Sequence, residues 1–337
     1  MKGTTKINSL FMKLLGSSLL VMITACSFRQ PERIQGVGNP DWSDFRKAVL
    51  DRPDHSHFMK PGPYGVTKHL RYQISLNPGQ EIDTDFYRSS NKGKAPLALI
   101  MHGNGYSKLA HRNQAEHLSS WGIHTLLVNL PNRDQWIKNG KTLKKLIQLI
   151  HAWPQILSHS IDANQIIVIG HSFGGSASMI ASGRNSPVKG VILLDPAVVH
   201  QSIRKYMKRV QKPVLILGAD QKVFRSKKRW QFFRYIPGPV AEFSITGATH
   251  NDAQSPGINK VRWGFDWETD EGIQKKFTAF ITGGIFSISG TGRLEYAWSL
   301  YNLASKLGVV KKGRIRFVPS QKNERLGYKK LLRSGFR

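Results

Sequence analysis

One stretch of this chain joins a reactive side chain to a backbone able to expose it. Gln165-Ile-Ile-Val-Ile-Gly-His-Ser-Phe-Gly-Gly175 runs an apolar strand into Gly170-x-Ser172-x-Gly174. Such a turn holds its serine in a strained conformation, and side chains at the flanking positions would collide with the adjoining strand or helix. A serine hydroxyl is a weak nucleophile on its own. It needs a base to take its proton and a pair of N–H donors to hold the developing oxyanion. Of the twelve histidines, His250 has the context of a base, because Ile245-Thr-Gly-Ala-Thr-His250 places it just past an apolar strand, after the serine in chain order. One oxyanion donor is the N–H of Phe173, next to the nucleophile. The other belongs to the loop His102-Gly-Asn-Gly-Tyr106, where Asn104 is placed to donate. His55-x-His57 stands alone without further metal-ligand spacing, so neither a metal nor an organic cofactor is expected.

These residues need a scaffold that presents them at one edge. Apolar strands are expected at 97–101, 124–128, 166–169, 191–194, 214–217 and 242–245, with alternating strands at 66–76 and 85–88 ahead of them. Helices are expected at 108–121, 142–157, 271–281 and 294–307. Fully apolar strands alternating with helices imply an α/β fold with a mostly parallel central sheet of about eight strands, covered by helices on both faces. Residues 195–213 leave no room for a large cap domain, which favours an open site.

At this point the chain resembles the α/β-hydrolase superfamily from about residue 62 to 285. Within it, the resemblance is to platelet-activating-factor acetylhydrolases, chlorophyllases and bacterial polyester-cutting cutinases. Gly62-Pro-Tyr-Gly-Val66 is similar to a segment near the start of that branch. Gly247-Ala-Thr-His250 is similar to the cutinase histidine loop, and Gly170-His-Ser-Phe-Gly-Gly175 to the acetylhydrolase elbow. The resemblance leaves two aspartates open as the third member of a triad. Asp195, ending the strand after the nucleophile strand, stands where acetylhydrolases and chlorophyllases carry their acid, and is preferred. Asp220, in Gly218-Ala-Asp220, stands at the usual superfamily place, but the cutinase-like acid falls two residues later, where this chain has Lys222. The resemblance implies hydrolysis of a carboxylic ester through an acyl-enzyme on Ser172. A peptidase or acyltransferase on the same triad remains open, as does a catalytically dead, polyanion-binding envelope protein.

The ends of the chain suggest location. Lys2, Lys6 and Lys13 precede an apolar run too short to span a bilayer, and Ile23-Thr24-Ala25-Cys26 resembles a bacterial lipobox. Residues 1–25 are therefore expected to be a lipoprotein signal peptide, with Cys26 acylated (palmitate among its chains) and the protein held on the extracytoplasmic side of the envelope. Ser27 after the cysteine favours the outer membrane. As Cys26 is the sole cysteine, no internal disulfide can form. Residues 26–61 read as a tether and irregular lead-in, 62–310 as the catalytic domain and 311–337 as a basic tail. The formal charge is +29, and removing the signal with its three lysines would leave +26. Such charge points to an anionic surrounding such as lipid head groups. The expected partners are an ester substrate and the membrane, not nucleic acid, and a monomer is expected. The stretch from Arg225 to Tyr235 interleaves bases with aromatics, and reads as a covering helix with Trp230 and Phe233 inward.

Overall fold

The computed structural model describes residues 33–34, 41–51, 54–132, 134–221, 229–256 and 269–317. Cys26, the segment before it and the chain beyond residue 317 lie outside the described residues, as does Lys222.

Ten strands form one sheet in the order β1-β2-β3-β5-β4-β6-β7-β8-β9-β10. They are β1 (Arg33–Ile34), β2 (Val66–Asn77), β3 (Gln80–Ser89), β4 (Ala95–Met101), β5 (His124–Val128), β6 (Ile161–His171), β7 (Val188–Leu194), β8 (Val214–Ala219), β9 (Val240–Ile245) and β10 (Val310–Arg316). Strands β5, β4, β6, β7, β8 and β9 run parallel in that order, while β1, β2, β3 and β10 are antiparallel to their neighbours. The sheet of about eight strands is thus present as β2–β9, with one more strand at each edge, the two-residue β1 and the seven-residue β10.

The parallel strands are buried on both faces, and alternation along each one feeds two separate cores. In β6, Ile167 and Ile169 join the layer of α1 (Trp42–Leu50), α2 (Arg112–Ser120), α7 (Glu271–Ile288) and α8 (Glu295–Lys306). Ile166 and Val168 join the opposite layer of α3 (Trp136–Ala152), α4 (Phe173–Ala181), α5 (Ile203–Met207) and α6 (Trp230–Tyr235). Each such side chain contributes about 1.5–3 kcal/mol by burial, so a polar residue on either face of β6 would be costly.

Several boundaries differ from the sequence expectation. Helix α3 starts at Trp136, earlier than expected, and ends at Ala152 because Pro154 follows and opens a short 3₁₀ turn. The segment 108–121 begins as a 3₁₀ turn, Lys108–His111, before α2. The lead-in is not wholly irregular. Trp42, Phe45 and Val49 recur at helical spacing in α1 and turn into the core, and Phe58 of the following 3₁₀ turn is fully buried. The first residues assigned to the tail belong to the sheet, since β10 pairs with β9 despite its many cations. Between β7 and β8 the chain carries only the one-turn helix α5, so no cap is built there. No helix among the described residues is long and apolar enough to cross a membrane.

Candidate active site

Ser172 sits where β6 turns into α4, with φ 52° and ψ −121°, a left-handed conformation that only a tightly tied turn maintains. The ties are explicit. Ser172 N–H donates to Leu194 O at 3.0 Å, and Ser172 O accepts from Ala197 N–H at 3.0 Å, so the loop after β7 clamps the turn. The glycine of the motif is required on steric grounds, because a Cβ on Gly174 would stand 2.5 Å from His102 O. Ser172 is 9% exposed.

His250 follows β9 at the start of a 3₁₀ turn, Asn251–Ala253. Its Nδ1 lies 2.6 Å from Asp195 Oδ2. Asp195 is 3% exposed, and it also adopts a positive φ, 36°, which turns the carboxylate back across the end of β8. Burial pushes its pKa up, but the His250 hydrogen bond and charge, the Arg229 charge and the Ala219 N–H together hold it well below the usual carboxylate range. His171, directly before Ser172, is fully buried with its ring centroid 4.6 Å from that of His250. Its Nε2 is 3.1 Å from His250 O, a contact that requires the proton on Nε2 and thereby ties the histidine loop to the elbow. Burial, followed by the nearby His250 and His111, holds His171 well below the ordinary imidazole range, so it stays neutral.

Asp220 is not part of this cluster. Its carboxylate turns to the far side of the β8 end, where Lys312 Nζ reaches Oδ1 at 2.6 Å and Lys311 Nζ reaches Oδ2 at 2.8 Å. The two lysine contacts pull its pKa down to about 2. Of the two candidate acids, the structure brings only Asp195 to His250.

Asn104 and Phe173 line one wall of an open cavity of about 580 Å³, with Trp136 and Val199 among the other lining residues. Among the described residues neither the Asn104 nor the Phe173 backbone N–H has a protein acceptor. Phe173 packs edge-on against Trp136, with centroids 5.7 Å apart, and so gives the cavity an apolar side.

Sequence reasoning missed the residues that anchor the Asn104 loop. Lys108, nearly buried, places Nζ 2.5 Å from Asp83 Oδ1 and 2.8 Å from Asp85 Oδ1, and donates to Thr84 O. Asn129 completes the knot by accepting from Lys108 N–H at 2.8 Å and donating to Asp83 Oδ2 at 2.6 Å. A lysine among apolar helix positions gave no sign of this. Lys108→Met should cost about 3–5 kcal/mol, because it leaves the buried Asp85 carboxylate uncompensated. A thermal melt measures that loss, and an unchanged midpoint would refute the assigned anchor.

The stretch ending at Tyr235 also differs from expectation. In α6 Gln231 and Phe232 are buried and Phe233, partly buried, packs against the same core beneath the Arg314 guanidinium, 4.1 Å from its ring centroid, while Trp230 is 45% exposed rather than inward. The inward face is thus Phe232 with Phe233, as expected for Phe233, and Trp230 turns outward. His55, weighed above as a metal ligand, stacks on Phe280 instead. Among the described residues no group of three or more His, Cys, Asp or Glu side chains could hold a metal ion.

A doubly covered, mostly parallel sheet with a strained serine after its central strand and a histidine after a later one is the arrangement of the α/β-hydrolase class, and this chain has the α/β-hydrolase fold. Residues 91–251 match the family described as platelet-activating factor acetylhydrolase, isoform II. The match bears out the resemblance in the sequence, runs from the strand before the Asn104 loop to just past His250, and supports an esterase-type hydrolase. No curated protein matches the chain significantly.

Proposed function

We propose that the protein is a serine hydrolase of carboxylic esters, with Ser172 as nucleophile, His250 as base and Asp195 as the acid that orients it. The observation that carries this reading is the buried Asp195 carboxylate 2.6 Å from His250 Nδ1, beside a serine at positive φ. With Nδ1 engaged, Nε2 is the ring nitrogen free to take the Ser172 proton as Oγ attacks the ester carbonyl. The N–H groups of Asn104 and Phe173 receive the oxyanion. The imidazolium then gives its proton to the leaving alcohol, and water, deprotonated by His250, releases the acid from the acyl-enzyme. The matched family's name specifies removal of acetyl groups, which makes short acyl esters the first substrates to test.

We further propose that Cys26 is lipidated and that the cationic chain beyond β10 lies against anionic head groups, so that the enzyme works at an envelope surface. One experiment addresses both readings. A fluorophosphonate probe applied to cells expressing the full chain should label a single membrane-bound species. A p-nitrophenyl ester series from acetate upward should be hydrolysed by the same fraction, and Cys26→Ser should move label and activity together to the soluble fraction. Absence of labelling and turnover would refute the enzymatic reading, and label remaining on the membrane in Cys26→Ser would refute the anchor.

A further inference from the structure

Behind the Asp195–His250 pair stands a guanidinium that neither the motif nor the family match singles out. Arg229, just before α6, spans the ends of three strands. Its Nη1 donates to Asp195 Oδ1 at 2.5 Å and to Ala219 O at 3.1 Å. Its Nε donates to Glu242 Oε1 at 3.1 Å and its Nη2 to Ser244 Oγ at 2.9 Å. Glu242, on β9 and 5% exposed, gives its other oxygen to Arg314 on β10, with Nε at 2.7 Å. Charges therefore alternate from Arg314 through Glu242, Arg229 and Asp195 to His250. The backbone is shaped for this arrangement, since a Cβ on Gly218 would lie 2.2 Å from Arg229 Nη1.

We infer that Arg229, backed by Glu242, is a positioning residue that fixes the Asp195 carboxylate and tunes the proton affinity of His250. The inference rests on His250 being the base. Arg229 and the Ala219 N–H, at 3.1 Å, both donate to Oδ1, so Oδ2 is the oxygen left for His250. A bare aspartate would stabilise imidazolium strongly. Arg229 offsets part of that charge, and Glu242 offsets part of Arg229. Among the described residues other titratable groups face this cluster, Tyr106 among them, with its ring centroid 6.2 Å from that of His171. His171 beside His250 is held neutral, and His111 faces His171. Asp252, on the histidine's own loop, accepts from Thr249 N–H and Oγ1 and from Asp270 N–H.

Charge of this kind predicts shifts of opposite sign from two substitutions that a purely structural role would move the same way. Arg229→Gln should raise the acid-limb pKa of kcat/KM by on the order of one pH unit, because an uncompensated Asp195 favours imidazolium. Its kcat should fall about tenfold with little change in KM, and Arg229→Lys should return the limb toward wild type. Glu242→Gln should lower the acid limb by a smaller amount. The histidine ring resonances of the intact protein, followed by NMR across the same pH range, read the His250 pKa without turnover, and carry the test if the wild-type chain cleaves no ester. Shifts of opposite sign uphold the proposal. Acid limbs or imidazole titrations that coincide with wild type, or that move in the same direction in both variants, would overturn it. If Arg229→Gln does not fold, Arg229→Lys and Glu242→Gln decide it, because a limb unmoved in Glu242→Gln refutes the charge relation by itself.

Discussion

Ser172→Ala should eliminate fluorophosphonate labelling and lower kcat on a short acyl ester by on the order of 10⁶, the scale seen when a catalytic serine is removed from an assembled triad. The fold should survive. The positive φ at residue 172 is held by backbone bonds to Leu194 and Ala197, which do not involve the hydroxyl, and alanine tolerates the conformation no worse than serine. Loss of one hydroxyl from a 9% exposed side chain removes no ion pair and leaves no buried donor without its partner. The unfolding free energy should therefore stay within about 0.5 kcal/mol of the parent, because none of the mechanisms behind larger losses is engaged. A variant that still accepts the probe would place the nucleophile elsewhere, whatever its residual rate.

Much of this site was legible because its signals are local. The elbow announces itself within a few residues: four apolar residues, two spaced glycines and a run of small side chains into α4. His250 and the Asn104 loop follow from chain order once the strands are placed. Between the two candidate acids only the resemblance favoured Asp195, because Asp195 and Asp220 end neighbouring parallel strands and sequence spacing treats them alike. What separates them is non-local. Arg229 enters above Gly218 and draws Asp195 inward, while Lys311 and Lys312 draw Asp220 out. Both lysines belong to β10, a strand whose side chains are mostly cationic and which the hydrophobic pattern therefore did not reveal. Helix α1 was overlooked for a related reason, since its three inward residues sit among enough polar ones to resemble a tether.

That geometry makes the pair of asparagine substitutions unusually decisive. In Asp195→Asn, two donors, Arg229 Nη1 and the Ala219 N–H, face the position of Oδ1. The amide must place its carbonyl oxygen there and point its NH₂ at His250 Nδ1. The imidazole can then only accept at Nδ1, which puts its proton on Nε2, where the base must instead be bare to receive the Ser172 proton. A loss of about 10⁴ in kcat follows, the size found when the same tautomer error is imposed on a protease triad. Stability should fall by much less than activity, because the amide oxygen keeps both donors satisfied. Asp220→Asn removes only contacts to lysines that are themselves about half exposed, 49% and 57%, and such pairs contribute about 0–1 kcal/mol. Its kcat/KM should match wild type. Steady-state kinetics on both variants with one ester settle the assignment. If Asp195→Asn retained near-native kcat, His250 would be oriented by something other than the carboxylate 2.6 Å away, and the triad proposed here would be wrong.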